Sequence, residues 1–246
     1  MKIRVYTTAW NEEQILPHFL RFYARFAERI VVYDNGSDDA TPAIVRAHPQ
    51  AELRSYDTGG TLHDGVKADL LSHCYREVRG QADWVVAVDC DEFLYHPELV
   101  ERLARYAAEG VTLPRVRGYS MVTDDPLPAI DGFEGLLSDR YALGAPNANF
   151  DKRCVFDPDV DIHFAVGQHH CRPAGRVVES ADAELKLLHY KHFCVDSLWR
   201  RYQQLRPRLS RFNRWRRLGF HYKESRRQIQ ASHDRYKAHA VNALTV

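Results

Sequence analysis

Along the first 110 residues, short apolar runs alternate with segments of helical apolar spacing, and this alternation restricts the fold more than any single motif. IRVYTT (3–8) reads as a strand. Asn11 then sits where a helix cap would, with Gln14 three residues on in capping-box position, followed by Ile15, Leu16, Phe19, Leu20, Tyr23 and Phe26 at helical spacing. RIVVYD (29–34) is a second apolar run and NGSDDATP after it is dense in turn residues, with Thr41 and Pro42 opening another helix. Residues 51–56 form a third strand pattern. A helix over 64–79 places Val66, Leu70, Cys74 and Val78 on one stripe, WVVAV (84–88) is a fourth apolar run, and Pro97 begins a helix that closes at Gly110. Strands separated by helices pair in parallel through right-handed crossovers. The expected class is therefore α/β, a Rossmann-like, mostly parallel sheet flanked by helices.

From 111 to 190 the pattern changes to short strand runs (111–122, 153–156, 162–166 and 185–190) between loops rich in Asp, Pro and Gly. After Asp196 the chain turns helical and basic. The division this implies is one α/β domain over 1–195, with halves 1–96 and 97–195, and a basic helical extension over 196–246. The net charge of +1 conceals that extension: between Trp199 and Lys237 stand 13 Lys or Arg against Glu224 and Asp234. Trp199, Tyr202, Phe212, Trp215, Phe220 and Tyr222 are interleaved with them. Such a segment could dock on the domain with its arginines solvated, wall an anionic site, or meet anionic lipid or nucleic acid. Five cysteines without a CxxC pair argue against a disulfide framework or structural zinc and point to a reducing cytoplasm. No run approaches the roughly 20 apolar residues of a membrane helix. The expected protein is soluble and cytoplasmic, at most peripheral at the inner membrane surface.

The stretch WVVAVDCDEFLY (84–95) runs an apolar strand into Asp89, Asp91 and Glu92. Like charges about 4 Å apart repel by ~4 kcal/mol at an effective dielectric of about 20. Either the carboxylates splay into solvent or a cation sits among them. In an extended backbone Asp89 and Asp91 face one side and Cys90 the other. A pair of carboxylates at the carboxyl end of such a sheet, where ligands bind, suits Mg2+ or Mn2+ with its remaining ligands from phosphates and water.

AWNEEQILPHFLRFYARFAERIVVYDNGSDDAT followed by ADWVVAVDCDEFLY resembles the GT-A-fold glycosyltransferases, close to families 2 and 92. The motifs that carry the resemblance are a first strand entering W-N-E, a second ending in Y-D-N-G-S-D-D-A-T, and D-x-D-E-F after an apolar strand. Weaker similarity continues through KRCVF and GQHH to LLHYKHF. The resemblance implies metal-dependent, inverting transfer of a sugar from a nucleoside-diphosphate donor, a UDP-sugar first, to a hydroxyl of a glycan or small molecule. It places Thr8, Ala9, Asn11, Glu12, Asp34, Ser37, Lys67, Asp89 and Lys152 at the donor. It makes Asp89, Asp91 and His189 the ligands of Mn2+ or Mg2+. Glu92, His169, His170 and Tyr190 fall on the acceptor side or behind the site.

An inverting transferase also needs a base for the acceptor hydroxyl. Asp125 and Asp124 are the first choice, with Glu134 and Asp139 as rivals. Several of these residues have structural competitors: Asn11 as helix cap, Glu12 at a helix dipole, Ser37 as turn former. Two other functions fit parts of the chain. A nucleotidyltransferase shares the sheet and paired acids, but its Gly-rich phosphate loop is replaced here by TTAWNEE. A polyanion-binding module built on the basic tail leaves the acidic cluster unexplained, which disfavours nucleic acid as partner.

Overall fold

The computed structural model describes residues 1–245. Its elements are β1 (Ile3–Ala9), α1 (Leu16–Tyr23), β2 (Arg29–Asp34), α2 (Thr41–Ala47), β3 (Ala51–Ser55), α3 (Asp64–His73), β4 (Trp84–Ala87), β5 (Glu92–Tyr95) and α4 (Leu99–Ala108) in the first half. The second half adds β6 (Val116–Met121), α5 (Leu137–Arg140), β7 (Leu143–Pro146), β8 (Val155–Phe156), β9 (Asp161–Phe164), β10 (Cys171–Ala174) and β11 (Leu185–His189). It closes with α6 (Val195–Arg208), α7 (Arg211–Trp215), α8 (Arg226–Ala238) and β12 (Val241–Asn242).

The alternating segments build a sheet of order β3-β2-β1-β4-β8, in which β3, β2, β1 and β4 run parallel and β8 is antiparallel. This is the α/β class expected. The later short strands form a second five-stranded sheet, β12-β7-β6-β11-β5, and a β9–β10 ribbon. The two larger sheets meet at the carboxylate stretch. β4 stops at Ala87, and Glu92 begins β5 in the other sheet, so residues 84–95 are two strands joined by a turn. Tyr23 of α1 covers the β5 backbone: its hydroxyl donates to Glu92 O at 3.0 Å and accepts from Leu94 N–H at 2.9 Å. Phe22 packs edge-on against Phe93 at 5.0 Å, and each such buried aromatic contributes roughly 1.5–3 kcal/mol.

Two local expectations are corrected. Asn11 does not cap α1, which starts at Leu16 behind Ile15 with no side-chain cap and with Pro17 in its first turn. Asn11 instead takes φ 52°, a left-handed conformation that Asn tolerates better than most residues. Its side chain ties the loop after β1 to the loop after β2, exchanging hydrogen bonds with Asp38. In α3 and the 3₁₀ turn after it, the buried face is Ala68, Leu71, Tyr75 and Val78, and Val66 is exposed. The expected stripe drifts off the buried face because positions spaced strictly by four advance about 40° per step around an α-helix, whereas the buried positions alternate spacings of three and four.

Candidate active site

A cavity of about 550 Å³ opens at the carboxyl ends of β1, β2 and β4. Its floor is the turn between β4 and β5. Glu92 N–H donates to Asp89 O at 3.0 Å, and Asp89 N–H donates back to Glu92 Oε2 at 3.1 Å. Because this is a turn and not extended chain, strand parity does not apply, and the two aspartates, both in the cavity lining, take different partners. Asp89 Oδ1 accepts from Lys67 Nζ at 2.5 Å, and Lys152 Nζ lies 3.5 Å from its other oxygen. Asp91 Oδ2 lies 3.3 Å from His189 Nε2. Cys90 is buried between them, its Sγ 3.4 Å from Thr7 Oγ1.

Each partner is delivered by a distinct element. Lys67 stands in the first turn of α3, whose cap is His63 accepting from Val66 N–H at 3.2 Å. His189 ends β11, whose antiparallel register with β5 sets it opposite Glu92. Tyr190 N–H donates to Asp91 O at 2.8 Å, closing the corner. Lys152 arrives on the loop after β7, fully buried, with Nζ 2.5 Å from the equally buried Glu92 Oε1. Glu92 therefore lies beneath the cavity, holding Lys152 and the Asp89 backbone.

Burial pushes the Asp89 carboxyl up, but the Lys67 and Lys152 ammoniums outweigh it and hold the group far below the usual carboxylate range. Burial likewise raises Asp91, and the His189 ring beside it more than compensates. Glu12 goes the other way. Burial pushes it up to about 7 against the pull of Arg201, with Asp91 and Asp89 adding to the rise. Burial and nearby charge lower His169, and take His221 down to about 2, so both rings are neutral at neutral pH.

Asp91 and His189 fit a divalent ion. Two adjacent ligands at about 2.1 Å from one metal stand about 3 Å apart, close to the separation seen. No group of three or more His, Cys, Asp or Glu is placed to hold a metal among the described residues. Two protein ligands suit Mg2+ or Mn2+, which take the rest of their shell from phosphates and water. Asp89, the third residue expected as a ligand, pairs with Lys67 and Lys152.

Of the other residues anticipated, Thr8, Ala9, Asn11, Glu12, His169 and Tyr190 line the cavity. Asp34 does not. Its carboxylate accepts from Gly36 N–H, Ser37 N–H and the Ser37 hydroxyl, closing the turn after β2. Asp34 and Ser37 border a separate shallow depression with Arg46 and Arg54. His170 lies outside the cavity lining too. The acids chosen as base are not brought to the cavity either. After β6 the chain follows α8, where His233 contacts Thr123 O at 2.9 Å and Asp124 pairs with Lys237. Asp125 and Glu134 are exposed, and Asp139 caps its own short helix by accepting from Leu136 N–H at 2.8 Å.

Several lining residues were not anticipated. Asn35 accepts from Thr58 Oγ1 and Arg208, both at 2.9 Å, and donates to Tyr56 O at 3.1 Å. Lys191, Arg201, Arg208 and Tyr222 close the far wall. Arg208 stacks 3.7 Å over the Trp10 ring, and Arg201 binds the carbonyls of Trp10 and Asn11 and the Glu12 carboxylate. A signal for the arginines was present: they are seven residues apart on α6, hence on one face, beside the buried stripe Leu198, Tyr202 and Leu205.

The model of glycosyl transferase family 2 matches residues 5–151. The chain belongs to that family. The match runs from β1 through the β4–β5 turn to the edge of Lys152, so the floor of the cavity lies inside the family 2 region. A Glycosyltransferase family 92 protein of Arabidopsis thaliana is 27% identical over 96 residues, 38% of this chain and 16% of that protein. Among solved structures, S. aureus TarS 1-349 in complex with UDP aligns over 83% of this chain and 64% of its own, at 14% identity and TM-score 0.43. Glucosyl-3-phosphoglycerate synthase from Mycobacterium tuberculosis, in complex with Mn2+, UDP and glucosyl-3-phosphoglycerate, aligns over 50% and 44%, at 22% identity and TM-score 0.33. This family 2 chain thus spans less than two thirds of each of these relatives.

Proposed function

We propose that this family 2 domain transfers a sugar from a nucleoside diphosphate, a UDP-sugar, to a hydroxyl of a glycan or small molecule, with inversion at the anomeric carbon. The observation that carries this is the pairing of Asp91 with His189 beside the buried Lys152 and the half-buried Lys67, at the carboxyl edge of a parallel sheet in family 2. At one end of the cavity Asn35, Tyr56, Trp10 and Arg208 offer an amide and flat surfaces suited to a nucleobase and ribose. At the other, Lys67 and Lys152 offer positive charge to a diphosphate, and Lys191 faces the same space without a carboxylate partner among the described ion pairs. Asp91 and His189 would hold Mn2+ or Mg2+ there. Such an ion, when bound, stabilises the negative charge that develops on the departing diphosphate. The lysines do the same through fixed charges in a half-buried site, where electrostatic stabilisation is stronger than in water. Lys152 is positioned for this by Glu92, and Lys67 by Asp89.

Calorimetry of UDP binding with and without Mn2+, on the wild type and on Asp91→Ala, tests the proposal. The expected outcome is metal-dependent binding that weakens by roughly 10–100-fold in the variant. Tight, metal-independent binding unchanged by Asp91→Ala would overturn it.

A further inference from the structure

The chain between Asp196 and Glu224 contains no acidic residue, yet carries Arg200, Arg201, Arg206, Arg208, Arg211, Arg214, Arg216, Arg217 and Lys223. Arg201 and Arg208 are spent on the cavity wall. The others fall mainly on a knob formed by α7 and the 3₁₀ turn Phe220–Lys223. This knob is anchored firmly from within. Ser210 caps α7 by accepting from Asn213 N–H at 3.1 Å. Asn213, fully buried, donates to Asp64 Oδ2 at 3.0 Å and accepts from Asp64 N–H at 3.1 Å. Phe212 stacks on His63 at 4.6 Å. Gly219, at φ 69°, reverses the chain where a Cβ would meet Leu209 Cδ2 at 2.7 Å.

With its inner face so occupied, the knob turns Trp215 and Phe220 outward, 76% and 53% exposed. Trp215 is the most exposed of the large apolar side chains among the described residues. Arg216 lies 5.8 Å from the Trp215 ring and Lys223 5.1 Å from that of Phe220. None of Arg211, Arg214, Arg216, Arg217 or Lys223 has an ion-pair partner among the described residues. Internal docking does not account for two displayed aromatics, each with an uncompensated cation beside its ring.

We propose that this knob docks the protein on an anionic membrane surface. Trp215 and Phe220 enter the interface between headgroups and acyl chains, and the surrounding arginines and Lys223 pair with anionic headgroups. Aromatic rings with one apolar body favour that interface, and each cation near an anionic leaflet adds attraction that salt screens. The cations suit either polyanion; the aromatics favour a lipid surface over nucleic acid, because there are only two, flanking a tight turn, and they form no continuous stacking track.

The test is co-sedimentation of the full chain with vesicles of phosphatidylcholine alone and of phosphatidylcholine mixed equally with phosphatidylglycerol. The expected result is binding to the mixed vesicles only, reversed by high salt. Trp215→Ala/Phe220→Ala and Arg214→Glu/Arg216→Glu/Arg217→Glu should each lower partitioning roughly tenfold or more. Circular dichroism and UDP affinity, unchanged in both, would show that the fold and cavity survive. Failure of the wild type to bind the mixed vesicles at low salt would overturn the proposal. So would equal retention of the wild type and the aromatic variant, or binding to a single-stranded oligonucleotide that both variants share and vesicles do not compete.

Discussion

Glu92 and Lys152 are the most deeply buried opposite charges near the cavity, and their pairing explains an arrangement that would otherwise be costly. A buried carboxylate is tolerated when an ammonium lies against it and its other oxygen accepts a hydrogen bond. Both conditions hold here, through Lys152 Nζ at 2.5 Å and Asp89 N–H at 3.1 Å. Lys152→Met keeps much of the side-chain volume and leaves Glu92 as an unmatched buried charge, so it should destabilise the fold by about 3–5 kcal/mol. Lys152→Met/Glu92→Gln removes both charges and should recover a large part of that loss. Urea unfolding of the two single variants and the double closes the cycle. A zero coupling energy would mean that the pair does not support the site.

At the scale of elements, the loop from Asn147 to Lys152 shows how a strand with no catalytic residue governs the cavity. β6 accepts this loop because Gly118 has no side chain: a Cβ there would fall 2.4 Å from the backbone carbon of Phe150. Gly118 O accepts from Asn147 N–H at 2.9 Å and Gly118 N–H donates to Asp151 Oδ1 at 2.7 Å. The loop so held sets Phe150 edge-on against the His189 ring at 4.1 Å and aims Lys152 at Glu92. Since backbone cannot yield as a flexible side chain would, Gly118→Ala should cost about 1–3 kcal/mol and weaken UDP binding, although Gly118 does not line the cavity. Urea melts and calorimetry check both effects, and a variant with wild-type affinity would disconnect the strand from the site.

Periodicity read along the chain identified the elements of the first half because each one buries a continuous face, which writes a local pattern. It set Asp91 and His189 each at the end of an apolar run, and the fold brings the two side chains to 3.3 Å. It failed at the β4–β5 turn, where parity was extended past the last paired residue, Ala87. Asp34, which the resemblance puts at the donor, closes its own turn with its carboxylate, while the adjacent Asn35 lines the cavity. Asp124 illustrates a different reason: it pairs with Lys237 of α8, more than 100 residues later. Contacts of that sequence separation leave no local trace.

For the molecule as a whole, the basic segment is better described as the fourth side of the cavity than as an appendage. Leu62 N–H donates to Arg208 O at 2.7 Å and Leu62 O accepts from Ser210 N–H at 3.1 Å, joining the end of α6 to the loop before α3. Farther along, β12 pairs with β7, and Ala243, fully buried, enters the main core. Truncation at Pro207 removes all of these together with the Arg208 stack on Trp10. It should lower Tm by roughly 10 °C or more, since each kcal/mol shifts a domain of this size by about 2–4 °C, and it should abolish UDP binding. Arg208→Ala separates the two effects. It leaves β12 and the Asn213–Asp64 lock in place, so Tm should fall little while UDP affinity drops through loss of the cover over Trp10. A truncated chain that melts at the wild-type temperature and binds UDP normally would show that the segment is an independent module, and that the cavity is completed by the preceding residues alone.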